Sequence, residues 1–531
     1  MKSPRQLVFG SYVGEAGTKA ASTPVAVSRE MLAGVALLVL AVATDHYSLG
    51  MGDIRLRFEL IVGGLLAAWF FVRGRGAVLQ RIGIIEYALL GWLAANIFSS
   101  LFFSPSRQDS LKNAIIIAGV LTIYLAGIIL FNSAQAITWA AAAWVAVGAV
   151  VALIGLLEAA LYTLFGTTDG INLERAYKDG NFILTPRVES TMWEPNIFGS
   201  FCATVGILAL ALTLAPDFRS PSRQRWLRFA AACAFCGIML SMTRTVWMLA
   251  PLILAILMAV SLRLKLATAR QVWQGMLLPA GIGIVVGLVV GNFFMPTLTW
   301  QRGYPWNLTY EQVKQSVPYL MKGITPPIVE GTPAAGVTAM PTTAPGATPN
   351  PAGAPTAVVS SGSTLIDKMR EAASPDTAPS IQGRLTIFRQ SADAWLQRPV
   401  FGWGTGSFAL LYPPDLNGYW ISNLELHLLF DTGIVGFLFF TAAIVIAARK
   451  ARGALRTPAS GWHTTHFVLL GLLIGGVGLL VAYQLTEATW MGFTWAFLAL
   501  LVMAAHHARP PLESPAQTAA APDYVEANAR Q

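Results

Sequence analysis

The chain has 531 residues, 55% hydrophobic and only 12% charged, with a mean hydropathy of +0.57. A soluble protein carries about a quarter charged residues, so this composition excludes an ordinary soluble enzyme. The formal net charge of +9 argues for contact with anionic lipid head groups and not with nucleic acid.

In chain order, residues 1–29 hold no compact apolar core with a small-residue cleavage site, and read as a cytoplasmic tail rather than a cleaved signal. Apolar runs follow near residues 30–46, 56–73, 82–103, 112–131, 136–165, 195–215, 226–242, 245–262, 273–295, 425–448, 464–483 and 488–506. Runs of roughly 17–25 residues match the hydrocarbon thickness as helices, which satisfy their own backbone in lipid. The expectation is an all-α, polytopic integral membrane bundle of about 12 transmembrane helices. Nine lie within 30–295 and three within 425–506, separated by a large loop over 296–424 and followed by a polar tail over 507–531.

Short loops on one side carry Arg73, Arg75, Arg81, Arg219, Arg223, Arg225, Arg228, Arg263, Lys265, Arg270, Arg449, Lys450, Arg452 and Arg456. The opposite side carries fewer: Arg55, Arg57, Arg107, Lys112, Arg175, Lys178, Arg187 and Arg244. The positive-inside rule places the richer side and both termini in the cytoplasm, and the 296–424 loop outside. A bacterial inner (plasma) membrane location with an extracytoplasmic site is expected.

Mid-span charge is sparse, Glu158 being the clearest case. Cys202, Cys233 and Cys236 fall within spans and read as packing residues, with no disulfide framework. His506-His507 reads as an interfacial pair; no metal-ligand cluster and no phosphate-cradling Gly-rich loop before Lys-Ser/Thr is present. Neither a metal nor a cofactor is expected.

Gly166–Glu194 forms one charged loop. The large loop divides into an aromatic, Lys/Gln-containing part over 297–324, a Pro/Thr/Ala/Gly/Ser-rich insert over 325–380 that cannot bury a core, and a helical segment over 381–397 with Leu385, Phe388, Ala392 and Trp395 on one face.

Four polar clusters meet the outer side. In Arg187-Val-Glu189-Ser-Thr-Met-Trp-Glu194-Pro195-Asn196-Ile-Phe-Gly199, Pro195 suits a first helical turn, whose unpaired N–H groups attract anions. Arg187 adds a forked donor, or the stretch is simply a charged membrane edge. Ser241-Met242-Thr243-Arg244-Thr245 places an arginine in a tight turn, facing an anion, a carboxylate or the interface. Arg384 and Arg389 precede Pro399-Val-Phe-Gly402-Trp-Gly404-Thr-Gly406, whose glycines allow unusual backbone shapes and close ligand approach, or serve structure alone. Last come Ser422, Asn423, Glu425, His427 and Asp431. His427 and Asp431 are four apart and share a helical face, as a general base and its carboxylate partner do, or as a mutually satisfied bundle pair does. Glu487 adds a carboxylate on this side. Arginines at a membrane edge suit a lipid-linked phosphate or pyrophosphate.

In the order and spacing of these motifs over roughly residues 80–505, the chain resembles the O-antigen ligase / O-antigen polymerase family of membrane glycosyltransferases. The carriers are Arg187 ahead of Pro195-Asn196-x-x-Gly199, Thr243-Arg244, Gly383-Arg384 followed by Pro399-x-x-Gly402-x-Gly404-x-Gly406-x-Phe408, and an Asn423-headed helix with Gly433-x-x-Gly436. The resemblance implies metal-free transfer of a glycan from an undecaprenyl-pyrophosphate carrier to a hydroxyl acceptor on a lipid, a glycan or a protein, in cell-surface polysaccharide biosynthesis. It implies that Arg187, Arg244 and Arg384 hold the pyrophosphate, with Pro195, Asn196, Gly199, Gly402, Gly404, Gly406 and Asn423 supporting. Ligases of the family typically have His-Asn where this chain has Ser422-Asn423. Either His427 with Asp431 is the base, or Glu425 is, or the chain is polymerase-like. The alternative is a non-catalytic lipid-linked glycan transporter or flippase, which should spread polar groups through the midplane.

Overall fold

The computed structural model describes residues 28–44, 48–51, 54–74, 83–165, 173–178, 181–192, 194–291, 377–412, 421–458, 461–486 and 488–508. The 297–324 segment, most of the 325–380 insert, Glu487 and both expected tails beyond these limits lie outside the described residues.

The helices are α1 (Arg29–Val42), α2 (Phe58–Gly74), α3 (Ile84–Phe102), α4 (Arg107–Leu130), α5 (Ala134–Phe165), α6 (Pro195–Leu212), α7 (Pro221–Leu240), α8 (Arg244–Arg263), α9 (Ala269–Val272), continuing through a π turn at Trp273–Leu277 into α10 (Leu278–Val289), α11 (Thr377–Gln397), α12 (Phe408–Leu411), α13 (Leu424–Ala454), α14 (Thr464–Ala482) and α15 (Gly492–His507). Each of the expected apolar runs holds a helix. Among the described residues, however, eight helices are long and apolar enough to cross a membrane. Of the other four expected spans, α1, α2 and α15 have 14, 17 and 16 residues, and α7 opens on Arg223, Arg225 and Arg228.

The described residues are mostly helical, as expected, with two short antiparallel hairpins beside the helices. Strands β1 (Ser48–Met51) and β2 (Ile54–Arg57) join α1 to α2. Within the expected Gly166–Glu194 loop, β3 (Leu173–Lys178) pairs with β4 (Asn181–Val188). Short strands outside lipid pair locally with no apolar run to announce them. The helix expected at 381–397 starts earlier, at Thr377, inside the expected insert. Its buried positions are Ile387, Ser391 and Ala394; Phe388 is half-buried and Trp395 spends its indole N–H on the Pro399 carbonyl, 3.2 Å away.

α6 is the central post, with 94% of its apolar window buried within the chain. Lipid offers no hydrophobic drive between helices, so close approach at small residues decides packing: Gly148 meets Val205, Gly206 meets Phe235, and Gly237 meets Cys202.

These contacts also fix direction. Gly471 of α14 lies on Leu208 of α6 and Gly475 lies on Thr204, so the two run antiparallel. The start of α6 and the end of α14 are therefore at one end of the bundle. Gly478 lies on Leu249 and Ile253, which brings the start of α8 there too. On the other flank Gly91 of α3 meets Phe439 of α13 while Ser99 bonds Asp431, so α3 ends where α13 begins.

Candidate functional site

The four polar clusters gather at this one end, in three knots. The first joins sequence-distant motifs. Arg187, at the end of β4 and 7% exposed, donates from Nε to the Ser241 carbonyl (3.3 Å) and from Nη2 to Asn196 Oδ1 and to Thr243 Oγ1 (3.2 Å). Thr243 Oγ1 lies 3.2 Å from Asn196 Oδ1 as well. Glu194 is the N-cap of α6 and Pro195 its first residue; Pro has no N–H to satisfy there. Gly199 presses on the Ser241 hydroxyl, where a Cβ would lie 2.5 Å from Oγ. Met242 takes a positive φ of 48°, and Arg244 opens α8 with Thr243 as N-cap. Arg244 is exposed. A cation at a helix N-terminus opposes the macrodipole, by about 0.3–1 kcal/mol, a cost an anion at that spot would reverse.

The second knot surrounds Asn423. Its side chain accepts from the Leu426 N–H (2.9 Å), capping α13, and donates to the Gln484 carbonyl (3.2 Å). Gln484 Nε2 donates to Glu425 Oε1 (2.8 Å), and Arg384 Nη1 donates to the Leu485 carbonyl (3.1 Å). The turn after α14 thus ties Arg384 to the head of α13.

The third knot is a broken helix plugged by a loop. α13 is interrupted at Gly433 (φ 61°, ψ −166°). Carbonyls freed above the break are taken by the glycine loop, residues 398–407: Trp403 N–H bonds the Phe430 carbonyl (2.8 Å) and Gly404 N–H the Asp431 carbonyl (3.0 Å). In exchange, Ile434 and Val435 donate to the carbonyls of Pro399 (2.9 Å) and Val400 (3.2 Å). Gly402, Gly404 and Gly406 all have positive φ (70°, 92° and 72°). A Cβ on them would strike the α13 backbone, Ser104 and Asn113 respectively. The three glycines are thus conformational and steric necessities. Arg398 anchors the loop by donating to the Phe103 carbonyl and stacking on Trp403 at 3.8 Å. Ser104, Ser110 and Ser407 close it with mutual hydroxyl contacts of 2.6–3.0 Å.

Inside this knot His427 Nε2 lies 2.9 Å from Asp431 Oδ2. The tautomer in which Nε2 donates to the carboxylate is the one that leaves Nδ1 as the basic nitrogen. Both residues line a cavity of about 310 Å³, with Arg57, Trp92, Asn96, Asn113, Thr405, Gly406, Thr489 and Trp490 among its walls. Sequence reasoning counted Arg57 only as a topology charge and passed over the asparagines. Arg57 (7% exposed) pairs with the fully buried Glu59 at 3.1 Å and donates to the Trp490 carbonyl. Asn96 accepts from Thr405 Oγ1 (2.8 Å) and donates to the Trp92 carbonyl (2.9 Å). The signal that could have found these residues is polar side chains recurring at helical spacing in apolar runs, Asn96, Ser99 and Ser100 on α3 and Ser110 and Asn113 on α4.

The three knots keep Arg187, Arg244, Arg384 and His427 at one end but not in one cavity: none of the three arginines lines the His427 cavity. Among the described residues no group of His, Cys, Asp and Glu is arranged to hold a metal ion. Cys202, Cys233 and Cys236 are buried free thiols.

No curated protein matches the chain. Residues 229–441, from within α7 to within α13, match the family model described as O-antigen ligase. The matched stretch includes Thr243-Arg244, Arg384, the glycine loop and His427-to-Asp431, and leaves out Arg187, Pro195-to-Gly199 and the α2–α4 wall of the cavity.

Proposed function

We propose that this membrane protein, similar to O-antigen ligases through the stretch that carries its polar end, transfers a glycan from an undecaprenyl-pyrophosphate carrier to a hydroxyl acceptor on the extracytoplasmic face. The carrying observation is the His427–Asp431 pair at 2.9 Å, held by the glycine loop at the same end of the bundle as Arg187, Arg244 and Arg384. The acceptor oxygen attacks the anomeric carbon, the bond to the pyrophosphate oxygen breaks, and its electron pair leaves with the pyrophosphate. The acceptor proton passes to His427 Nδ1, and Asp431 stabilises the imidazolium. Arg244 and Arg384 neutralise the leaving group, usually the largest catalytic contribution. Arg187, committed to Asn196, Ser241 and Thr243, holds the turn that presents Arg244. Glu425, engaged by Gln484, is the competing base.

The Lys/Arg distribution supports cytoplasmic termini, an extracytoplasmic 296–424 loop and a bacterial inner membrane location. The 325–380 insert has no part in the chemistry proposed.

One observation favours the transporter alternative: α13 is broken at Gly433, nine residues or about 14 Å along the helix from Leu424, and transporters use broken helices near the midplane. Incubating purified protein with a polyprenyl-pyrophosphate-linked oligosaccharide decides between them. A ladder of multiples marks a polymerase and single transfer to an added acceptor a ligase. Donor crossing a vesicle bilayer without turnover moves the transporter forward and ends the transferase reading.

A further inference from the structure

A second polar region lies at the end of the bundle opposite the candidate site. Gly199 meets Ser241 and Gly206 meets Phe235, so α7 runs antiparallel to α6 and its first turns are at that far end. From Phe218 to Tyr310 the chain holds no Asp or Glu. This end of it nevertheless carries Arg225 and Arg228 on α7, Arg263 and Lys265 at the close of α8, and Arg270 on α9. Arg263 and Lys265 complement the C-terminal dipole of α8; the other three have no such reason. Carboxylates that other elements bring to this end are engaged: Glu30 by Arg73, Glu86 by Tyr124 (2.7 Å), and Asp217 by Thr464 (2.6 Å). Among the described residues Arg225, Arg228 and Arg270 make no hydrogen bond and no ion pair.

Charge that only sets topology needs nothing more than water around it. Arg228 departs from that pattern: it is half-buried, and its Nε is shielded from solvent without an acceptor. A shielded donor is costly until something accepts from it. Its neighbours follow from helix register. Gly283 packs on the Ala232 carbonyl and Gly287 on that of Cys236, so α7 and α10 run side by side in the same direction. One turn earlier on each, Arg228 stands level with Pro279, where the π turn over Trp273–Leu277 feeds into α10. Trp226 and Phe229, with rings 5.8 Å apart, and Trp273 are exposed on these same elements. Exposed Leu278, Ile282 and Val285 continue along α10 from that point.

We propose that the start of α7 and the turn from α9 into α10 form a site for one anionic phospholipid. Arg228 donates to the phosphate, and Arg225 and Arg270 supply the surrounding positive field that an anionic head group meets at a basic pocket between helices. Trp226 and Trp273 sit at head-group depth, where indoles are enriched. The acyl chains lie along Leu278, Ile282 and Val285. A lipid is the occupant because the cations, the indoles and the apolar stripe follow one another along the same two helices, as the parts of a phospholipid do. The site is at the opposite end from His427, and it stands whether or not the transferase reading does.

The test titrates the purified full chain in detergent with dioleoyl phosphatidylglycerol, and separately with dioleoyl phosphatidylcholine, following bound lipid by native mass spectrometry. Wild type should retain phosphatidylglycerol in preference to phosphatidylcholine. Arg228→Gln should weaken phosphatidylglycerol binding by about tenfold and leave phosphatidylcholine unchanged. Arg270→Gln, an exposed change that does not disturb packing, should weaken it in the same direction. Arg452→Gln removes one charge from the last turns of α13 at the same end and should bind as wild type does. Equal retention of the two lipids by wild type overturns the site, as does an equal loss in Arg228→Gln and Arg452→Gln, which would make the attraction diffuse charge. Protection from thermal unfolding by glycerol 3-phosphate equal to that by phosphatidylglycerol also overturns it, since a free phosphate would then suffice.

Discussion

The amide of Gly406 lies 3.2 Å from both carboxylate oxygens of Asp431. The glycine loop and the histidine-bearing helix are therefore one unit: the loop fixes the carboxylate, the carboxylate fixes the His427 ring, and the ring faces the cavity. A motif that looks like a hinge is a support for the proposed base.

Because Asp431 fixes the imidazole through Nε2, Asp431→Asn should leave the fold in place and reduce transfer by about 10²–10⁴-fold. The loss should appear in kcat more than in KM, in single-turnover assays on detergent-solubilised protein. Near-normal kcat would hand the base role to Glu425.

Gly404 has φ 92° and its absent Cβ would lie 2.8 Å from Ser104 Cβ. Gly404→Ala should lower stability by about 1–3 kcal/mol from strain and impair transfer along with it, since the loop also holds Asp431. Thermal unfolding followed by intrinsic fluorescence gives the first quantity, and product yield the second. A melting temperature equal to wild type would show that the loop tolerates rearrangement.

Arg187 contributes a fork to three partners, so Arg187→Lys should resemble Arg187→Ala, because an ammonium cannot reproduce that geometry. Arg244, exposed at the start of α8, should tolerate lysine better and lose transfer on Arg244→Ala, as should Arg384→Ala. Donor binding measured against protein level in the membrane fraction separates the two classes. Full rescue by lysine at 187 would make Arg187 a simple charge.

Arg57→Met leaves Glu59 buried and unpaired, which costs about 3–5 kcal/mol when a buried pair loses one member. The double change Arg57→Met with Glu59→Leu should recover most of that stability. Unfolding midpoints in detergent measure both, and equal losses in the single and double variants would show that the pair is not coupled.

Much of the candidate site's make-up was legible in the chain. His427 and Asp431 are four apart on one helix, and Pro195 marks a helix start wherever the helix packs. Arg187 and Thr243 are 56 residues apart, and no local rule says that a strand-end arginine will reach the turn before α8. Arg57, Asn96 and Asn113 were missed for the same reason: each is one polar residue at a helix end or in an apolar run, and they become a cavity only when α3, α4 and α13 pack together. Periodicity in 381–397 gave a helix but not its packing partners: Ile387, Ala394 and Phe388 meet Phe408 and Phe430, which come from elements that periodicity cannot see.

The sequence by itself determined the class of protein and the position of nearly every helix, because spanning lipid requires a long apolar run that closes its own hydrogen bonds. It also placed the polar residues at the ends of those runs. Only the tertiary structure decided that α13 breaks at Gly433 and is filled by the glycine loop, that Arg187 braces the α7–α8 turn, and that a cavity opens beside His427. In lipid, helices are joined by close steric contact and by buried hydrogen bonds rather than by hydrophobic pattern, and both are properties of residues hundreds of positions apart.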